Sequence, residues 1–266
     1  MQNDVESWAS HYVSTSDLSV KLRPPPVPER FQANRVPVRL ERPGRPAELR
    51  PATRRERTPK LEALRNPRSR ARVLHAFFHH ELQAAELMCW AILAFSDAEL
   101  EFRKDLLRVC LDEIRHMNLY REHIEALGCS IGQFGVRDWF WKRVPSCPTK
   151  VSFVALMGMG LEGANLEHAP AFAARFRAVG DNAGALVQER VAAEELAHVR
   201  MATRWFTRWT GGCNFDEWVS HLPPPLSPRL LRGEPIAKDL RRKAGMPDDF
   251  IAALSAYVPA PTGRVG

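Results

Sequence analysis

Thiol chemistry has little to draw on in this chain. The five cysteines, Cys89, Cys110, Cys129, Cys147 and Cys213, are scattered, odd in number and free of any Cys-x-x-Cys pair. That pattern excludes a disulfide framework and a thiolate zinc site, and fits a reducing cytoplasm. Long apolar runs are also missing: the most hydrophobic stretch, around "VSFVALMGMGL", is too short to span a bilayer. The amino terminus "MQNDVESWAS" is polar and acidic, so neither a signal peptide nor a membrane partner is expected, and the chain reads as soluble. Net charge is nearly absent from most of the protein. Through Arg72 there are sixteen Lys or Arg against eight Asp or Glu, and beyond it twenty-two against twenty-three, so the formal +7 resides in the amino-terminal quarter.

With 266 residues and 45% hydrophobic content, the chain can bury one sizeable core. Residues 1–66 read as a basic, Pro- and Arg-rich extension, extended or wrapped from Arg23 onward, because helical apolar periodicity is missing until about Leu61. Such an arm pairs with acidic surface on its own fold or on a partner, and as a phosphate contact it would suit RNA. Residues 67–210 read as four helices, expected over about Pro67–Phe95, Ala98–Leu127, Lys150–Val179 and Asn182–Trp209. The turns fall at Phe95-Ser96-Asp97 and at Val179-Gly180-Asp181-Asn182, with Gly180 as a stop and Asp181 as an N-cap. A glycine- and aromatic-rich connection from Gly128 to Thr149 is long enough for a crossover along a bundle, and Pro170 should kink the third helix. Residues 211–266 read as a Pro-rich tail closed by a short helix over "PDDFIAALSAYV". The expected fold class is therefore all-α.

Chemistry enters through two Glu-x-x-His turns, Glu113 with His116 and Glu195 with His198. Residues three apart share a helix face, so a Glu and a His at that spacing can bind one metal ion without distorting the backbone. Each turn has a glutamate upstream, Glu81 by 32 positions and Glu162 by 33, and the second set follows the first by 81 or 82, which makes an internal repeat. Each ligand lies about sixteen residues from its turn, roughly 24 Å along a helix, so antiparallel neighbours carry all of them to one level. Glu86 and Glu167 repeat at the same 81-residue offset, which leaves two registers open for the upstream ligand. The turn midpoints and the small Ala84 and Ala85 favour Glu81 and Glu162. Glu86 and Glu167 then stand as acids behind the ligands, as surface residues or as an extra ligand.

Carboxylates and imidazoles without thiolate suit iron, with manganese or a mixed pair served by the same donors. Two iron ions are the expected cofactor. Tyr120 lies one turn after His116 and reads as a core tyrosine or an electron-transfer site, and Cys110, one turn before Glu113, as a buried inert thiol.

The six residues Glu81, Glu113, His116, Glu162, Glu195 and His198 resemble the ferritin-like diiron carboxylate pattern. "DEIRH" is similar to the DE-x-RH sequence of bacterial multicomponent monooxygenases and ribonucleotide reductase small subunits. More closely, "LHAFFHHELQAAELM", "LDEIRHMNLY", "LEGANLEHA" and "PPPLSP" resemble an uncharacterised bacterial ferritin-like family, a domain of unknown function, over about Leu74–Tyr257. A more distant likeness is to the tRNA hydroxylase that oxidises a hypermodified adenosine. The resemblance implies a ferritin-like four-helix bundle in which Glu113 and Glu195 bridge the ions, Glu81 and Glu162 are terminal, and His116 and His198 bind one ion each. It also implies that Asp112 and Glu194 orient ligand histidines from neighbouring helices, against the alternative that they are exposed helix acids. The expected function is activation of dioxygen to oxidise or hydroxylate an organic substrate, with an external electron donor; a homodimer is one assembly left open. Two alternatives stay open: a ferritin-like metal-binding or scaffold protein without catalysis, and an RNA-modifying hydroxylase.

Overall fold

The computed structural model describes residues 3–33, 36–52 and 59–259. Its regular structure is helical: α1 Val5–Ser14, α2 Leu18–Leu22, α3 Pro67–Ala94, α4 Leu100–Ala126, α5 Lys150–Phe153, a π-helical segment Val154–Glu162, α6 Gly163–Ala178, α7 Asn182–Thr210, α8 Phe215–Ser220, α9 Lys238–Lys243 and α10 Asp248–Ala256. Among the described residues there is no strand, only one isolated parallel bridge between Pro51 and Val136. No described helix is long and apolar enough to cross a membrane. The chain divides into two compact units, Met1–Ser146 with Ala173–Val187, and Cys147–Phe172 with Gln188–Gly266.

The first unit is built on α3 and α4, which pack against each other along the hairpin at residues 95–99. Helix α3 starts where Asn66 accepts a hydrogen bond from the Arg68 amide and Pro67 fills a position whose amide needs no partner. At the far end of α4, Gly128 adopts a φ of +75°, the left-handed stop that lets the Cys129 amide reach back to the Ile124 carbonyl. The turn before α7 is closed by Gly180 at φ +81° and by Asp181, whose side chain accepts from the Gly184 amide.

Residues 1–66 contain more helix than the sequence reading anticipated. Asp4 caps α1 by accepting from the Ser7 amide, and Val5, Trp8, Ala9, Tyr12 and Val13, spaced at i, i+3, i+4, i+7 and i+8, are all buried. That stripe is present in the sequence; the polar first residues concealed it. The described residues between 24 and 52 form no helix, and part of this stretch lies against α3. The Val38 amide donates to the Leu93 carbonyl, Trp90 Nε1 donates to the Leu40 carbonyl, and the Arg39 guanidinium lies over the Trp90 and Phe95 rings. The cluster Arg54, Arg55 and Arg57, with Arg35, lies outside the described residues.

In the second unit, α5, the π segment and the start of α6 form one continuous run instead of the plain α-helix expected over Lys150–Val179. All nine residues of the π segment are buried. The segment packs closely at glycine: a β-carbon on Gly158 would sit 2.2 Å from Ala202 Cβ of α7. Trp218 of α8 donates its indole hydrogen to the Ala155 carbonyl inside the segment. Pro170 lies within α6. The tail is more helical than expected, with α8 and α9 preceding the anticipated closing helix α10.

Candidate metal centre

Each unit carries a buried Glu-Glu-His triad. In the first unit, α3 supplies Glu81 and α4 supplies Glu113 and His116, and one ligand atom from each lies within 4.8 Å of the others. His116 Nδ1 is 3.3 Å from Glu113 Oε2 and 3.7 Å from Glu81 Oε2. Glu113 and His116 are fully inaccessible and Glu81 is 5% exposed, so two carboxylates have been removed from water beside each other. Burial alone lowers the pKa of His116, but hydrogen bonds and charge from Glu113 and Glu81 outweigh it and raise the value to about 11. The imidazole therefore holds a proton where the two carboxylates call for a cation.

In the second unit, the last residue of the π segment is Glu162, and α7 supplies Glu195 and His198. Their ligand atoms again lie within 4.8 Å of one another. His198 Nδ1 is 3.4 Å from Glu195 Oε2, and Asn165 Nδ2 donates to Glu195 Oε1 at 3.4 Å. Glu195 Oε2 is buried with no hydrogen-bond partner. A buried carboxylate oxygen in that condition costs free energy unless a proton or a cation reaches it. The donor sets of the two units are identical, and both can hold a metal ion.

The other register of the repeat has a different use. Glu86 accepts from Arg45 Nη1 at 2.6 Å, from Trp141 Nε1 at 2.8 Å and from the Lys21 ammonium at 2.8 Å. Lys21 and Glu86 are completely buried. Arg45 also reaches Asp138, which in turn meets His79 Nε2 at 3.0 Å, and this company draws the Asp138 pKa down to about 2 although burial opposes the shift. In the second unit Glu167 is held by a two-pronged contact with Arg241, both bonds 2.8 Å, and accepts from the amides of Gly233 and Ala237. Each Glu-x-x-x-x-Glu pair thus places its first acid in a triad and its second against a cation brought from a terminal segment.

Lys21, Arg45, Asn165 and Arg241 were not singled out by the sequence reading. Only the repeat of Glu86 and Glu167 hinted at them, since a repeated acid on a buried face needs a counter-charge. Asp112 is half-buried and pairs with Arg115 at 2.8 Å, and Glu194 pairs with Arg190 at 3.6 Å. Tyr120 is buried with its ring 6.0 Å from that of Phe77. His75 accepts from the Gly132 amide, and His80 stacks on Phe140 at 5.0 Å.

No curated protein and no solved structure matches the chain. A family model described as "Protein of unknown function (DUF455)" matches residues 5–252, a span that takes in α1, both triads and both buried ion-pair clusters, and the chain belongs to that family.

Proposed function

We propose that the protein is a non-haem diiron protein of ferritin-like four-helix design that activates dioxygen to oxidise or hydroxylate an organic substrate, with electrons from an external donor. The observation that carries this reading is the duplicated Glu-Glu-His triad, buried twice at matching positions of an internal repeat. The reading rests on the pattern in which two Glu-x-x-His helices and two single-Glu helices surround a pair of ions. Glu81, Glu113, His116, Glu162, Glu195 and His198 would hold the ions.

The residues fit the group. Glu195 Oε2 is buried without a hydrogen bond, and Glu81 and Glu113 are buried beside His116. An all-carboxylate and imidazole set favours iron or manganese over copper(I) or structural zinc. Two ferrous ions in such a set supply electrons for the reduction of dioxygen. What the chain contributes is position: Asn165 orients Glu195, and Glu113, His116 and Glu195, all inaccessible, keep water from the donor atoms.

The test is metal content per chain after anaerobic loading with ferrous iron and desalting. About two irons are expected in the wild type, with most of the iron lost in Glu113→Ala and in Glu195→Ala. Glu86→Gln should keep its iron and lose stability instead, because Glu86 is committed to Lys21 and Arg45. Wild-type protein that stays metal-free, or alanine variants that still load fully, would sink the proposal. Dioxygen uptake with a supplied reductant supports the enzyme, whereas accumulation of many irons per chain supports the non-catalytic metal-binding alternative.

A further inference from the structure

The two cysteines that face each other across the α3–α4 pair have no part in the metal reading. Cys89 Sγ on α3 and Cys110 Sγ on α4 are 3.4 Å apart, both fully buried and both free. A disulfide bond is about 2.05 Å long, so the sulfurs need to close by only about 1.4 Å. Cys110 lies one turn before Glu113, and Cys89 lies about two turns beyond Glu81.

We propose that Cys89 and Cys110 are an internal dithiol that hydrogen peroxide converts to a disulfide, fixing α3 to α4 beside the first triad. The chemistry balances with that oxidant alone. One sulfur attacks a peroxide oxygen, the O–O bond breaks, water leaves and a sulfenic acid remains; the second sulfur attacks it, the S–S bond forms and a second water leaves. Two thiols are oxidised by two electrons and one peroxide is reduced to two waters. Burial selects the product. Both sulfurs are fully buried, so bulky thiol reagents cannot reach them, and peroxide, the smaller oxidant, has to arrive through motion of the packing. Burial, then the hydrogen bond and charge of Cys89, raise the Cys110 pKa well above the usual thiol range, and the Lys21 ammonium offsets this only in part, so the oxidation should be slow.

The experiment supplies peroxide directly and does not depend on bound metal, so its failure is separate from failure of the diiron reading. A full-length variant with Cys129→Ser and Cys213→Ser removes the two partly accessible thiols and keeps Cys89, Cys110 and Cys147. After hydrogen peroxide, catalase, unfolding and alkylation, only Cys147 should take up label, and proteolysis should release a Cys89–Cys110 linked peptide that dithiothreitol separates. Adding Cys110→Ala should abolish that peptide and leave Cys89 alkylatable. Retention of label on both Cys89 and Cys110, or their conversion to sulfinic acids without a linked peptide, would overturn the proposal.

Discussion

His75 shows how a single side chain couples this fold to pH. Burial, helped by the nearby His79, lowers its pKa to about 4, and its Nε2 accepts the Gly132 amide at 2.8 Å, which only the neutral ring can do. The folded value lies below the ordinary histidine value of about 6.5, so the unfolded chain binds more protons between the two. Stability from this group is complete above about pH 6.5 and is lost as the pH falls toward 4, by up to about 3 kcal/mol. Asp138, with its pKa near 2, acts only in a lower window. His75→Gln keeps an acceptor and cannot titrate. Urea unfolding at pH 7 and pH 4.5 should show a smaller acid loss in the variant than in the wild type, and equal losses would refute the assignment.

The same scale decides what could be read in the candidate centre. Glu81, Glu113, His116, Glu162, Glu195 and His198 announce themselves because a ligand set on helices must recur at helical spacing. Lys21, Arg45 and Arg241 obey no such period. Their partners are 65, 41 and 74 positions away, and only the folded chain brings them together.

At the scale of elements, helix ends were legible because caps and stops are local chemistry: Gly128, Gly180 and Asp181 lie where the helices begin or stop. The π segment was not. "VALMGMGLE" has apolar residues on every side and contains no signal that distinguishes a π coil from an α coil; the distinction comes from what packs against it. Gly158 is the point of contact, and this yields a compensation test. Gly158→Ala puts its β-carbon 2.2 Å from Ala202 Cβ, which must force α7 and the π segment apart at a cost of about 1–3 kcal/mol. With Ala202→Gly added, the next neighbour is the Ala202 Cα at 3.6 Å, an ordinary contact. The double variant should recover most of the lost unfolding free energy, less about 1 kcal/mol for a glycine inside a helix. Because Glu162 ends this segment, the single variant should also weaken iron retention in step with the distortion.

For the molecule as a whole, the terminal segments belong to the cores they touch. The family match begins at residue 5, inside the stretch read from composition as an arm. That arm supplies the Lys21 and Arg45 charges to Glu86, and α1 buries five apolar side chains against the first unit. Removing residues 1–60 would leave a buried carboxylate without its cations, a loss of about 3–5 kcal/mol for such a pair. It would also forfeit α1, on the order of 10 kcal/mol at about 1.5–3 kcal/mol for each large apolar side chain. The total matches or exceeds the roughly 5–15 kcal/mol by which a domain is ordinarily stable. The truncated chain should therefore lose its cooperative thermal transition and be cut readily by protease, and a truncation that melts like the full chain would show the segment to be an appendage. RNA binding consequently cannot be tested by deletion, since a collapsed chain exposes its whole basic content. Neutralising Arg54, Arg55 and Arg57 in the full chain isolates the charge. Binding carried by these three should weaken in that variant and fall steeply with added salt.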